Sequence, residues 1–274
     1  MASGQAAGSI AVLGCGKIGE ALVRGMLESG FATPPQITAS ARRPERAAYL
    51  EQTFRIRAGT ANASAAAGAA VVVLALKPNL VLPVLEEIRG ALAPEALVIS
   101  VAAAISLSQM EQCAGGRVAI IRAMPNTPAL IRRSMTALAC GQGVNERQMA
   151  AAVGLFQSVG RVVTVEERHL DAVTGLSASG PAFVYMVIEA MAEGGVRAGL
   201  PRDLALELAA QTVVGAGAMV LDTGEHPAKL KDNVTTPAGC TVDGLLELEA
   251  GGLRVALIKA VSRAAKRAGE LGSK

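Results

Sequence analysis

The first half of the chain alternates short apolar runs with segments of helical spacing. In segment 16–29, for example, Ile18, Leu22 and Met26 recur on one helical face. Apolar runs of strand length occur six times, at 9–13, 36–40, 71–76, 97–101, 118–121 and 135–140. Strands that alternate with helices predict a doubly wound parallel sheet, an α/β fold with helices on both faces.

The pattern changes after about residue 165. No later run has the features of a strand, and four segments have helical spacing, at 182–198, 201–221, 240–249 and 253–271. Glycine and proline residues separate these segments. We therefore predict two domains, a sheet domain over 1–165 and an all-helical domain over 166–274.

Composition and charge narrow the class of protein. A length of 274 residues exceeds the usual size of a single core, and 51% hydrophobic residues with only 2% aromatic ones predict cores of small side chains. The net charge of +3, without a basic run interleaved with aromatics, argues against nucleic-acid binding. The uncharged stretches 58–76 and 172–188 are rich in alanine or hydroxyl residues, unlike a membrane helix.

Cysteine and histidine usage indicates a reducing compartment. The four cysteines, Cys15, Cys113, Cys140 and Cys240, form no CxxC pair, and the chain has only two histidines. We expect free, mostly buried thiols and no metal site. The N-terminal ten residues lack a basic segment followed by a long apolar run, so we expect no secretory signal and a cytoplasmic location.

A glycine motif follows the first predicted strand and opens the first helix. Gly14, Gly16 and Gly19 form GxGxxG, with Lys17 and Ile18 between the last two glycines. Gly14 permits the tight turn, Gly16 lets a pyrophosphate approach the backbone, and Gly19 lets helix and strand pack closely. The alternative is a glycine-rich turn that binds no ligand.

The second strand ends without the acidic residue that would bind the ribose hydroxyls of NAD. Ser40 is followed instead by Arg42 and Arg43. Two guanidinium groups beside a hydroxyl suit a 2′-phosphate, because arginine binds phosphate bidentately. The segment therefore favours NADPH, with NADH as a weaker substitute, and its alternative is a solvated basic turn.

Two further strand ends offer ligand contacts. Lys77 and Pro78 follow the strand at 71–76, at the sheet edge where ligands bind, although a solvated lysine is an equal alternative. Small residues at 100–104 would let a nicotinamide ring lie against the backbone, or would simply pack closely.

A threonine-rich turn precedes the predicted helix at 240–249. Thr235, Thr236 and Thr241 surround Pro237 and Gly239. Free N–H groups at a helix start suit an anion such as a substrate carboxylate, and the alternative is an ordinary capping turn. We find no dedicated acid–base histidine, and a hydride transfer to an imine needs little more than orientation and one hydrogen bond.

At this point the chain resembles the pyrroline-5-carboxylate reductase family over nearly its whole length. The similar segments are GCGKIGEALVRG from Gly14, ALKP at 75–78, SVAAA at 100–104, RAMPNTP at 122–128, DAVTGLSASGPAF at 171–183, EGGVRAGLPRDLA at 193–205 and HPAKLKDNVTTPAGCT at 226–241. The last segment corresponds to the family's signature region.

The resemblance implies reduction of the small imino acid L-1-pyrroline-5-carboxylate to proline by NADPH. It implies a Rossmann domain and a helical domain that interlocks with a second subunit in a homodimer, and in some members five dimers form a decamer. It places Thr236, Gly239, Cys240 and Thr241 at the substrate, with Thr241 and Lys77 as catalytic candidates. It places Asn62, Ala75, Lys77, Pro78 and Ala102 at the cofactor. Ala238 and Ala178 stand where the family often has glycine.

Two other classes are open alternatives. A dehydrogenase of the β-hydroxyacid type is expected to carry a catalytic lysine on a long helix of its second domain, and segment 182–198 has none. A regulator that binds a dinucleotide without catalysis would have no need of the threonine-rich turn.

Overall fold

The computed structural model describes residues 8–237 and 239–272, so residues 1–7, Ala238 and residues 273–274 lie outside the described part. Contacts along the chain divide it into two compact units. The described residues up to Ala178, together with those from Arg263 onward, form the sheet unit, and Ser179–Ser262 form the helical unit. The division after residue 165 stays a prediction.

The sheet unit is built on eight strands. They are β1 Ile10–Leu13, β2 Ile37–Ser40, β3 Arg57–Gly59, β4 Val71–Leu74, β5 Leu97–Ser100, β6 Ala119–Met124, β7 Ser134–Cys140 and β8 Gly160–Thr164. Their spatial order is β3-β2-β1-β4-β5-β6-β7-β8. The first six strands have the order of a dinucleotide-binding Rossmann sheet, in which the order of the strands reverses between β1 and β4 although the two strands run parallel. In the register, Val12 lies beside Ala39 on one side and Val73 on the other.

All six predicted strands are present, and the structure adds two. Strand β3 has only three residues and no apolar run to mark it, and β8 contains Val162 and Val163 but is largely exposed. The sheet is parallel as predicted except at one place, where β7 runs antiparallel to β6. The chain reverses direction through a tight 3₁₀ turn at Thr127–Ile131 instead of crossing over by a long helix.

Among the described residues, seven α-helices lie wholly in the sheet unit, to which the second half of the last helix also belongs: α1 Lys17–Glu28, α2 Pro44–Phe54, α3 Asn62–Ala66, α4 Pro78–Ile88, α5 Leu107–Ala114, α6 Glu146–Gln157 and α7 Leu170–Val173. A π-helical turn, Thr174–Ala178, follows α7. Both sheet faces are buried, because Val12 packs into one core with Leu22 and Phe156, and Leu13 packs into the other with Leu85. The doubly wound fold is thereby confirmed.

The helical unit contains α8 Gly180–Arg197, α9 Arg202–Thr223, α10 Pro227–Val234, α11 Cys240–Ala250 and the first half of α12 Leu253–Gly272. No strand follows β8 in the described residues, as predicted. Helix α10 was not predicted. Helices α8 and α9 pack through the buried alanines Ala192, Ala205 and Ala209, so their cores use small side chains, as the composition indicates.

Large apolar side chains are exposed along the helices of the second unit. Tyr185, Met186, Val214, Leu246 and Ile258 each have at least 60% of their surface exposed. The helical stretches Glu167–Arg197 and Arg202–Thr223 are long and apolar enough to span a membrane by length and composition alone. Exposed apolar faces of this extent call for a covering partner.

Candidate cofactor and substrate sites

The glycine turn joins β1 to α1 at the carboxyl edge of the sheet. Gly14 has φ +72°, and a Cβ atom there would collide with Leu76 Cδ2. Gly16 is the N-cap of α1, and no described side chain caps this helix. The first N–H groups of α1, on Lys17 and Ile18, therefore remain available to an anion. The turn fits a dinucleotide pyrophosphate.

The third glycine of the motif permits close packing of helix on strand. A Cβ atom at Gly19 would lie 3.2 Å from both Val12 Cγ1 and Cys15 Sγ. Such distances are tighter than most real contacts, so a larger residue would push α1 away from β1. The packing role that the motif predicts for this position agrees with the geometry.

Ser40, at the end of β2, is hydrogen-bonded to the backbone of the glycine turn. Its hydroxyl accepts a hydrogen bond from the Gly14 N–H at 3.2 Å and donates one to Asn62 Oδ1 at 2.7 Å. Asn62 in turn donates through Nδ2 to Glu87 at 2.9 Å. Ser40 is fully buried, so the structure links it to the turn backbone, a contact that sequence reasoning did not anticipate.

Arg42 and Arg43 follow β2 and are both exposed. Among the described residues neither guanidinium has a hydrogen-bonding or ion-pair partner. The chain enters this turn beside the glycine motif, since the Cys15 N–H donates to the Ser40 carbonyl at 2.8 Å. Two unpaired guanidinium groups next to a pyrophosphate cradle are suited to a 2′-phosphate.

The other predicted cofactor contacts lie along the same edge of the sheet. Ala75 follows β4 and donates its N–H to the Leu13 carbonyl at 2.8 Å. Lys77 is the exposed N-cap of α4, and Pro78 is the first residue of that helix. Ala102 follows β5, is buried, and donates its N–H to Ser100 Oγ at 3.3 Å. The carboxyl ends of β1, β4 and β5 thus bring these positions together.

The threonine-rich turn lies in the helical unit, between α10 and α11. Gly239 is the N-cap of α11, and its N–H donates to the Thr236 carbonyl at 2.9 Å. A Cβ atom at Gly239 would collide with Thr236 Oγ1. No described side chain caps α11, so the N–H groups of Cys240 and Thr241 face outward from the helix start.

The three hydroxyls of this turn are not equivalent. Thr235 Oγ1 donates to the Lys231 carbonyl at 2.8 Å and so belongs to the end of α10. Thr236 and Thr241 have no hydroxyl partner among the described residues, and Thr241 is half-buried. Their hydroxyls therefore remain available to a ligand. Ala238, which stands where the family often has glycine, lies outside the described residues.

The RAMPNTP segment carries two polar links that sequence reasoning missed. The buried Arg122 pairs with Glu167 at 2.6 Å, and the same carboxylate oxygen accepts the Leu107 N–H at 2.7 Å. Asn126 donates to the Ser177 carbonyl at 3.1 Å and accepts the Met135 N–H at 3.1 Å. A charged residue within an otherwise apolar strand is the signal that marks the first link.

The expectation of mostly buried cysteines is wrong, because only one of the four is fully buried. All four thiols are free, but Cys140 and Cys240 are exposed and Cys113 is partly so. Only Cys15 is buried, and burial raises the pKa of its thiol to about 12. The thiol within the glycine motif is therefore protonated and unreactive at neutral pH. No cluster of metal-ligating side chains occurs within 8–237 and 239–272.

The strand order and the glycine turn define a nicotinamide-dinucleotide oxidoreductase with a Rossmann sheet and a separate helical unit. Residues 167–271 match the family model described as pyrroline-5-carboxylate reductase dimerisation, and residues 9–104 match the one described as NADP oxidoreductase coenzyme F420-dependent. The chain belongs to the pyrroline-5-carboxylate reductase family.

Relatives of that name match the chain along its length. The pyrroline-5-carboxylate reductase of Methanosarcina acetivorans is 43% identical, with 97% of this chain and 98% of the relative covered. That of Escherichia coli K12 is 38% identical, with 96% and 97% covered.

Solved structures of the same family have the same fold. The enzyme from Coxiella burnetii is 33% identical with a TM-score of 0.91, over 96% of this chain and 98% of its own. The Plasmodium falciparum pyrroline carboxylate reductase, solved with NADP bound, is 27% identical with a TM-score of 0.87, over 98% and 100%.

Proposed function

We propose that this protein reduces L-1-pyrroline-5-carboxylate to L-proline with NADPH, the final step of proline biosynthesis, in the cytoplasm. Relatives of about 40% identity that carry this activity in their names span nearly the whole chain. The observation that carries the proposal is that each unit has one helix start whose N–H groups are free for an anion. The start of α1 suits a pyrophosphate, and the start of α11 suits a carboxylate.

On the cofactor side, the N–H groups of Lys17 and Ile18 bind the pyrophosphate, with Gly14, Gly16 and Gly19 leaving room for it. Arg42 and Arg43 bind the 2′-phosphate. Ser40 and Asn62 hold the turn near the adenosine. Ala75, Lys77, Pro78 and Ala102 contact the cofactor toward the nicotinamide. When bound, NADPH supplies the hydride for the C=N bond of the substrate.

On the substrate side, the N–H groups of Cys240 and Thr241 and the hydroxyl of Thr236 bind the carboxylate. The close approach of Gly239 to Thr236 keeps the turn compact. The reaction adds a hydride to carbon and a proton to nitrogen. The Thr241 hydroxyl donates a hydrogen bond or proton to the imine nitrogen, and Lys77 helps to position the substrate. Residues 166–274 thus serve as the substrate-binding and dimerisation domain.

Turnover is the direct test of this function. We expect purified protein, NADPH and chemically prepared pyrroline-5-carboxylate to show a loss of NADPH absorbance that depends on both reactants. Proline appears in equal amount, measured by amino-acid analysis. The control omits the imino acid and reports any idle NADPH oxidation. Absence of turnover across a range of pH contradicts the proposal.

We further propose that the exposed apolar faces of α8, α9, α11 and α12 are covered by a second copy of the chain and not by a membrane. The match of 167–271 to a dimerisation family supports self-association. Burying such faces between subunits stabilises the dimer by about 25 cal/mol for each Å² of apolar surface that is removed from water. A pentamer of such dimers is the larger assembly that the family resemblance implies.

Light scattering on protein purified without detergent tests this assembly. We expect two or ten chain masses, with the dimer persisting on dilution because its interface is apolar. A monomer in solution would contradict self-association. Partition of the protein into membranes, or a need for detergent, would contradict the absence of a membrane partner.

A further inference from the structure

Arg46, on the first turn of α2, contacts the backbone of the glycine turn. Its Nε donates to the Cys15 carbonyl at 3.1 Å, and its Nη2 donates to the Gly16 carbonyl at 3.3 Å. The same Nη2 pairs with Glu20 Oε2 at 2.5 Å. One guanidinium thus joins two successive carbonyls of the turn to a carboxylate on α1.

These contacts restrain the peptide groups of the turn together with the Glu20 N–H, which donates to the same Gly16 carbonyl at 2.9 Å. In a planar trans peptide, the carbonyl and the following N–H point in opposite directions. Holding the Gly16 carbonyl toward Arg46 and the Glu20 N–H therefore directs the Lys17 N–H away from them, out of the open start of α1. Gly16 has no side chain, so these contacts restrict a backbone that is intrinsically freer than that of other residues.

Glu20 holds Arg46 in place. Its carboxylate accepts hydrogen bonds from Arg46, from Arg24 at 3.0 Å and from Tyr49 at 3.2 Å. Partial burial raises the pKa of Glu20, but the hydrogen bonds from Arg46 and Arg24 outweigh it and leave the pKa below its usual value. The carboxylate is ionised at neutral pH. The Arg46 guanidinium also lies over the Tyr49 ring, 4.9 Å from its centroid.

We propose that Arg46, held by Glu20, is a positioning residue that helps to present the Lys17 N–H, at the start of α1, to the cofactor pyrophosphate. It differs in this from Arg42 and Arg43, whose unpaired guanidinium groups suit the 2′-phosphate. The pyrophosphate is common to NADPH and NADH, so Arg46 contributes equally to the binding of both. The inference rests on the cofactor role proposed for the glycine turn.

Equilibrium binding of the two dinucleotides, followed by their fluorescence without substrate, tests this role. We expect Arg46→Gln to raise the Kd of NADPH and of NADH by the same factor, about 10-fold, as for loss of charge-assisted hydrogen bonds. At saturating cofactor kcat is unchanged, because the residue acts on binding. Arg46→Lys recovers only part of the affinity, since one ammonium group cannot reproduce the planar fork.

Arg24→Gln is the matched control. It removes a neighbouring guanidinium from the same Glu20 carboxylate but leaves the carbonyls of Cys15 and Gly16 bound, so both Kd values stay near wild type. Glu20→Gln, which loosens Arg46 without removing it, replaces Arg46→Gln if that variant fails to fold, and we expect a smaller but equal rise for both dinucleotides.

Three results would overturn the inference: a larger loss for NADPH than for NADH, an unchanged Kd, or an equal effect of Arg24→Gln. The first would make Arg46 a ligand of the 2′-phosphate. If the wild-type protein bound neither dinucleotide, the proposed function itself would fail. Wild-type binding therefore tests the proposed function, and binding by the variants tests the role of Arg46.

Discussion

Thr241→Ala is expected to lower kcat by about 100-fold, the lower end of the usual contribution of a positioned proton donor. The Thr241 hydroxyl has no partner among the described residues and lies at the start of α11, beside the N–H groups proposed to bind the carboxylate. Its loss removes the proposed hydrogen bond to the imine nitrogen, which strengthens as charge develops there. The Kd of NADPH should stay within about twofold, because the cofactor turn lies in the other unit.

Thr241→Ser is the matched control, because it keeps the hydroxyl and removes only a methyl group. We expect it to retain most of kcat, measured by steady-state NADPH oxidation at saturating cofactor. If Thr241→Ala and Thr241→Ser lost activity equally, the methyl group and not the hydroxyl would matter. A parallel loss of kcat and of NADPH binding in Thr241→Ala would point to misfolding.

Replacement of both Arg42 and Arg43 with glutamine is expected to reverse or abolish the preference for NADPH. Each charge-assisted bond to the 2′-phosphate contributes about 1.5–3 kcal/mol, so the Kd of NADPH should rise about 100-fold or more. NADH lacks that phosphate, so its Kd should change by less than about twofold. Fluorescence titration with both dinucleotides gives the two constants.

The single variants Arg42→Gln and Arg43→Gln divide this effect between the two side chains. Raised salt gives a second check, because screening weakens an exposed phosphate contact and should narrow the gap between NADPH and NADH in the wild type. An equal rise in both constants for the double variant would sink the 2′-phosphate assignment.

The hydrophobic pattern was sufficient to predict most of the fold. Buried parallel strands such as β4 and β5 are continuous apolar runs, because both of their faces are covered, and such runs stand out in a sequence. Strand β3, with its exposed Arg57, has no such run, and strand β8 has only a short one that includes the exposed Val163. Both strands exist because a neighbouring strand offers hydrogen bonds, a property of the sheet and not of the segment.

The glycine turn likewise has one part that the sequence predicts and one part that only the structure shows. The positions of Gly14, Gly16 and Gly19 are a local pattern, and their spacing alone predicts a dinucleotide site. The supports of that turn are distant in the chain. Ser40 lies 26 residues from Gly14, and Arg46 lies 31 from Cys15. No local pattern marks such a contact.

The linear order of residues was therefore enough for the class of fold, the cofactor motif and the threonine-rich turn, because periodicity and turn chemistry are local. The identity of the proposed imino-acid substrate came from the family resemblance. Packing in three dimensions decided the reversed direction of β7, the burial of Ser40 beneath the glycine turn and the bond from Arg46 to two of its carbonyls. These features depend on which distant segments come into contact, and the local sequence of a segment does not specify its neighbours in the sheet.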